Sequence, residues 1–257
     1  MISLILLVAA GIATGIVATV GGIGSIVSYP SLLAFGLPPI AANVTNTTAL
    51  AVLLPSTVAG GRMELRTIGV RVLVLSGLAA GGGAAGALLL LRLSAASFEA
   101  VVPLLVAAGS LLVLGRDRLR AWIDDRVHEG DVEGSGSLWV LAGSVVLVGV
   151  FTGYFGAGSG ILMLAVLSLY YEEPHAVTNA VRLVVTAAAN GLSTVVFVFV
   201  APVDWPAAGA MACGLMIGTA AGMRIVPRLD AGRLRQVIGF LGLLLAIWLA
   251  ISRRTTT

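Results

Sequence analysis

The sequence predicts an all-α, polytopic membrane protein made of two inverted repeats of about five helical segments each, with short broken or re-entrant helices near the midplane. Three observations carry this. Of 257 residues, 58% are hydrophobic and 11% charged, the mean hydropathy is +1.06, and runs of Leu, Val, Ala and Gly recur from end to end. The two halves repeat the same short motifs in the same order. Their arginines, however, are distributed oppositely.

Apolar segments fall at 2–20, 22–36, 40–60, 68–91, 97–115, 138–156, 159–171, 175–200, 205–224 and 233–251. The first counts as a membrane segment, because Met1-Ile2-Ser3-Leu4 lacks the basic n-region of a secretory signal peptide. The polar stretch 116–137, with Asp124-Asp125-Arg126, His128 and Gly134-Ser135-Gly136-Ser137, reads as a hydrophilic cytoplasmic connector. It separates an N-terminal membrane repeat, 1–115, from a C-terminal one, 138–257.

The repeat is visible residue by residue. Gly11-Ile-Ala-Thr-Gly15 matches Gly149-Val-Phe-Thr-Gly153, and a glycine cluster follows each: Gly21-Gly22-Ile23-Gly24 and Gly156-Ala157-Gly158-Ser159-Gly160. A short apolar segment, a proline turn (Leu37-Pro38-Pro39; Glu172-Glu173-Pro174) and a helix opening with polar residues come next. The following helices carry small residues four apart, Gly77-Gly81-Ala85 and Gly214-Gly218-Gly222, a spacing that lets membrane helices approach closely.

All 15 basic residues are arginines. The connector after the third segment holds Arg62, Arg66 and Arg71, and its counterpart only Asp204. The connector after the fourth holds Arg92 alone, and its counterpart Arg224, Arg228, Arg233 and Arg235. By the positive-inside rule, equivalent loops then face opposite sides, so the repeats are inverted. Inversion needs an odd number of net crossings per half. Segments 22–36 and 159–171 cover only about 20 Å against about 30 Å of hydrocarbon, which suits helical hairpins whose glycine tips stop inside the membrane.

Candidate functional residues cluster after the second tip. Asn179, Arg182, Thr186, Asn190 and Ser193 are spaced 3, 4, 4 and 3, one face of a helix that is otherwise Ala, Val, Leu and Phe. An arginine there costs at least a few kcal/mol unless something anionic or polar answers it. Its planar donor fork suits oxyanion oxygens, and the bland alternative is a structural arginine pairing with helix-end carbonyls. Asn43, Asn46 and Thr47 hold the corresponding place in the first repeat, as anion contacts or as interhelical glue. At the tips, helices opening at Gly22, Gly24 and Ser25 and at Gly158, Ser159 and Gly160 present backbone N–H groups and a positive dipole end to an anion, unless those glycines merely allow crowding. Arg182 lies about 10 Å along its helix from His175, so tip and arginine reach similar depth.

Several classes are excluded or disfavoured. No basic stripe interleaved with aromatics exists for nucleic acid. No lysine follows the glycines, so they are not a nucleotide loop. The membrane segments hold no His/Cys/Asp/Glu group with ligand spacing, so neither metal nor cofactor is expected and an enzyme is disfavoured. The single Cys213 permits no intrachain disulfide. Glu172, Glu173 and His175 crowd the second proline turn, either as a proton relay or as a hydrated turn. Tyr29, Tyr154, Tyr170 and Tyr171 are interfacial anchors or gate rings.

The two glycine-rich segments, the turns Pro39-Ile40-Ala41 and Pro174-His175-Ala176, the Val203-Asp204-Trp205 connector and the closing Gly214…Gly218…Gly222, Leu234-Arg235…Gly239 together resemble the sulfite exporter TauE/SafE family over essentially the whole chain. Ile40 and Asn43-Val44-Thr45 depart from the family's usual histidine and Val-Gly-Thr-like run. The resemblance implies a multi-pass transporter in the cell (plasma) membrane, moving a small sulfur-containing anion such as sulfite, thiosulfate or an organosulfonate. A passive anion channel with the same lining is the alternative. No ATP-binding motif exists, so the coupling expected is to H⁺, Na⁺, or the substrate gradient and membrane potential. Assembly as a homo-oligomer stays open.

Overall fold

The computed structural model describes residues 2–19, 24–55, 69–128, 136–170, 175–225 and 231–254. Among these residues the regular structure is helical throughout. In chain order the helices are α1 (Ile2–Thr19), α2 (Ser25–Ala34), α3 (Pro39–Leu50) continued by a 3₁₀ turn (Ala51–Leu53), α4 (Val70–Arg92), α5 (Ala95–His128), α6 (Gly136–Tyr154), α7 (Ser159–Tyr170), α8 (His175–Val200), α9 (Trp205–Ile225) and α10 (Ala231–Arg254). Four stretches, Val70–Arg92, Ala96–Gly115, Val177–Val200 and Trp205–Ile225, are long and apolar enough to cross a membrane. The outer surface agrees with that: Leu73, Leu104, Trp139, Leu147 and Phe199 all point outward, a pattern that lipid tolerates and water does not.

At 10 and 12 residues, α2 and α7 are about 15 and 18 Å long, half a membrane thickness. Helix α5 runs on to His128, through the first half of the stretch read as a connector, because nothing between Arg116 and His128 breaks a helix once it is started. Hydropathy drops there and helicity does not.

Two seams hold the bundle. Helix α1 packs along α9, and α6 packs along α4, so each half lends its opening helix to the other half's fourth. Both seams are glycine against backbone. A Cβ on Gly11 or Gly15 would strike the carbonyls of Met211 and Leu215, and one on Gly214 or Gly218 those of Val8 and Ile12. In the other seam Gly149 and Gly153 lie on the carbonyls of Ala79 and Gly83, and Gly82 and Gly86 on those of Val146 and Val150. The series Gly77-Gly81-Ala85 is therefore not the packing series of α4. It faces outward, with nothing among the described residues within 4 Å of a Cβ on Gly77 or Gly81, and the seam uses Gly82 and Gly86. Two four-residue series coexist on this helix, and spacing alone does not choose between them. The repeated threonines also match: Thr14 Oγ1 donates to the Ala10 carbonyl (2.8 Å) and Thr152 Oγ1 to that of Val148 (2.7 Å), each hydroxyl satisfied within its own helix.

The connector before α9 is pinned across the halves. The Asp204 N–H donates to Thr45 Oγ1 (3.0 Å) on α3, and Asp204 Oδ1 accepts from the Ala207 N–H (2.9 Å), capping α9. Asp204→Ala is expected to lower stability by about 1 kcal/mol, the usual cost of an N-cap. Asp204→Asn should lose much less. Thermal unfolding of the purified variants checks this, and equal losses in both would remove the cap from the account.

Candidate functional site

Two helix breaks and one polar helix face meet at a single cavity of ≈ 170 Å³. It is lined by Ala18, Gly24, Ser25, the leucines 50, 53 and 54, Gly156, Ser159, Gly160, Arg182, Leu183, Thr186, Ala187 and Asn190. The first-repeat tip supplies Gly24 and Ser25, and the second supplies Gly156, Ser159 and Gly160. Helix α8 supplies Arg182, Leu183, Thr186, Ala187 and Asn190.

The first tip fits because residue 24 is glycine. A Cβ there would meet Thr14 Cγ2 at 3.1 Å and the Ala18 Cβ at 3.2 Å, closer than side chains ordinarily pack, so α1 would have to give by a few tenths of an ångström. Its carbonyl accepts from the N–H groups of Val27 (2.9 Å) and Ser28 (3.1 Å), and no side chain caps the helix. The second tip turns on two glycines in the left-handed region, Gly156 (φ +78°) and Gly158 (φ +82°), which L side chains rarely adopt. Ser159 donates its N–H to the Gly156 carbonyl (3.2 Å), and Ile161 its own to Gly158 (3.0 Å). Both α2 and α7 thus begin beside the cavity, so the positive dipole end of each lies near it.

Arg182 is only 6% exposed. Its Nε donates to Asn179 Oδ1 (3.0 Å) one turn back, which fixes the plane of the guanidinium. Thr186, one turn on, lines the cavity with a buried Oγ1 that has no hydrogen-bond partner among the described residues. Asn190 follows, its Nδ2 donating to the Thr186 carbonyl (3.1 Å). The cavity wall therefore carries a fixed cation, a hydroxyl and an amide, and it faces two helix N-termini. Such an arrangement has the chemistry that suits an oxyanion. Among the described residues, Arg182 is the one formal charge in the lining.

Other candidates stand elsewhere. Asn179 acts on Arg182 and is not in the lining. Gly158 packs against Gly109, whose Cα would lie 3.3 Å from a Cβ there, so its contribution is the shape of the turn. Asn43, Asn46 and Thr47 do not line this cavity. Asn43 Nδ2 donates to the Tyr154 carbonyl (2.9 Å), Asn46 Oδ1 accepts from Ser28 Oγ, and Thr47 Oγ1 donates to the Asn43 carbonyl (3.1 Å). They tie α3 to α2 and to the end of α6. Ser193 likewise faces α4, where a Cβ on Gly83 would lie 2.8 Å from its hydroxyl. Gly22, Glu172, Glu173 and Tyr171 lie outside the described residues. Spacing does not reveal the leucines 50, 53 and 54 as cavity residues, because an apolar residue in an apolar helix carries no signal of its own. Gly156 is legible in sequence only as part of a glycine cluster.

The end of α6 is held from both sides by edge-to-face ring pairs, Tyr29 with Phe155 (centroids 5.4 Å apart) and Phe98 with Tyr154 (5.7 Å). These fix the helix from which the second tip springs. Among the described residues no group of three His, Cys, Asp or Glu side chains is placed to hold a metal. Compared with known families, residues 7–249 match the one described as Sulfite exporter TauE/SafE. No match was found among curated proteins or among solved structures.

Proposed function

The chain belongs to the sulfite exporter TauE/SafE family, and on that premise we propose that it is a secondary transporter that binds a small sulfur-containing anion at the cavity beside Arg182 and exports it by alternating access. Membership makes it a membrane transporter of sulfur compounds and not an enzyme. The choice among sulfite, thiosulfate and organosulfonates, the outward direction and the plasma membrane as its site are part of the proposal.

A single observation carries it: Arg182, Thr186 and Asn190 share one cavity with the opening residues of α2 and α7, which come from different halves of the chain. A site assembled from both halves changes its access when one half tilts against the other. We divide the chain into repeats 1–115 and 138–257 joined by a cytoplasmic connector, 116–137. The swapped arginine bias supports an inverted relation between them, and the reciprocal seams α1–α9 and α4–α6 suit a pseudo-two-fold. Substrate contacts fall to Arg182, Thr186, Asn190 and the tip residues Gly24, Ser25, Ser159 and Gly160, with Asn179 as the residue that positions the guanidinium. Coupling is to H⁺, Na⁺, or the substrate's own gradient.

Proteoliposomes loaded with labelled sulfite test this. Efflux is expected to saturate and to accelerate when unlabelled sulfite is added outside. Efflux that stays linear with concentration and shows no acceleration would make the protein a passive anion channel with the same lining.

A further inference from the structure

We propose that a sodium ion binds where α2, α3 and the start of α5 close on the end of α6, held by Tyr29 Oη, Asn43 Oδ1, the Tyr154 carbonyl and the Glu99 carboxylate. The site does not depend on the anion reading of the Arg182 cavity. Only its role in coupling rests on that reading.

Two buried oxygens stand unused there. Tyr29 is 2% exposed and Asn43 1%, and among the described residues neither Tyr29 Oη nor Asn43 Oδ1 has a hydrogen-bond partner. Such atoms are uncommon in folded proteins and costly to leave unpaired. The orientation of the amide is forced. Asn43 Nδ2 donates to the Tyr154 carbonyl (2.9 Å), which can only accept, so Oδ1 is the atom left over. Ser28 Oγ donates to Asn46 Oδ1 across the α2–α3 hairpin, and that register brings the next residue, Tyr29, within a turn of the level of Asn43. The Tyr29 ring meets Phe155 edge to face (centroids 5.4 Å apart), and the Phe98 ring meets Tyr154 (5.7 Å). Both unpaired groups and the start of α5 therefore converge on Tyr154–Phe155. Glu99, beside Phe98, is near enough for its charge to act on the phenol of Tyr29.

What these four elements present is acceptor or negative. The amide and carbonyl oxygens offer lone pairs, and a phenol offers one while its proton turns aside. Helix α6 ends here, which adds the negative end of its dipole. An oxygen-only set of this kind suits a hard cation, and helix C-terminal ends and backbone carbonyls are what hold sodium in many secondary transporters. A single carboxylate answers one positive charge in full and leaves a divalent ion with an excess. Gly156, two residues beyond Tyr154, lines the cavity beside Arg182, so an ion on the Tyr154 carbonyl fixes the end of the helix from which that wall springs. On the transporter reading, sodium is then the coupling ion.

Radiolabelled sodium tests this on the full-length protein in nanodiscs, with choline chloride holding the ionic strength constant. Binding is expected to saturate, to be displaced by unlabelled sodium and not by choline, and to raise the unfolding temperature. Tyr29→Phe removes only the hydroxyl and keeps the ring against Phe155, and Glu99→Gln keeps the shape and loses the charge. Each should weaken sodium binding at least about tenfold, the loss common on removing a group that supports a metal site. An absence of saturable binding in the parent would mean that water fills the gap, and parental affinity in both folded variants would put the ion elsewhere. Either result overturns the site. Arg182→Ala should keep its sodium binding, so a failure of the anion site leaves this one standing. If sodium binds but anion efflux from proteoliposomes is the same with and without a sodium gradient, the role in coupling falls.

Discussion

Arg182→Ala is expected to weaken anion binding by about 30-fold to several-thousand-fold and to abolish measurable flux, while the protein stays folded. The range is the 2–5 kcal/mol typical of removing one partner from a buried, hydrogen-bonded charge pair. Arg182 is buried, so the anion meets the guanidinium without a screening layer of bulk water, and Asn179 holds its plane through Nε (3.0 Å). Thermal unfolding of the empty variant separates lost binding from lost folding, since the substitution also removes the bond from Nε to Asn179 Oδ1. In wild type, an anion that binds only the folded state raises the unfolding temperature, and that rise should vanish in the variant. Arg182→Lys keeps the charge and loses both the planar fork and the Nε donor, so it should recover only part of the binding. Asn179→Ala leaves the charge in place and frees its orientation. Its loss should be smaller than that of Arg182→Ala and should be rescued by Asn179→Gln only if the longer amide reaches Nε. Transport by Arg182→Ala at the parental rate would leave the assignment without support.

What the sequence makes legible, and what it hides, follows from the kind of signal each residue carries. Arg182, Thr186 and Asn190 are polar residues at helical spacing in an apolar helix, a contrast that by itself marks a face, and all three line one cavity. The glycine clusters mark where helices stop, and those stops are at Gly24 and at Gly156–Gly158. Contrast does not say what a face looks at. Asn43, Asn46 and Thr47 stand out as sharply as Arg182 does, yet Asn43 Nδ2, Asn46 Oδ1 and Thr47 Oγ1 bond to Tyr154, Ser28 and their own helix, because a buried amide can be engaged by a neighbouring helix as well as by a ligand. The leucines of the cavity wall show the opposite failure. Leu50, Leu53 and Leu54 are indistinguishable in sequence from residues that face lipid, although their spacing puts them on one helix face. Helix α5 is hidden for a third reason: hydropathy reports the medium around a helix, so it falls where α5 reaches Arg116 although the helix continues to His128.

Gly153→Ala and Gly218→Ala are expected to destabilise the protein severely, while Gly77→Ala and Gly81→Ala leave it as stable or slightly more so. A Cβ on Gly153 would fall on the Gly83 carbonyl, 2.7 Å from its carbon and 2.9 Å from the Ala87 nitrogen. One on Gly218 would fall on the carbonyl of Ile12, again 2.7 Å from the carbon. These neighbours are helix backbone, which cannot rotate away as a side chain can, so the helices must separate along the whole seam. Overpacking costs about 1–3 kcal/mol where side chains yield, and here the upper end or beyond is expected. The added methyl helps a helix by about 0.8–1.0 kcal/mol over glycine, too little to offset the separation. At Gly77 and Gly81 nothing lies within 4 Å, so that propensity gain is the main effect left. Comparing the four alanine variants by thermal unfolding and by the fraction that elutes monodisperse tests the choice of seam. Equal tolerance at Gly81 and Gly153 would mean that α4 and α6 do not meet through this face.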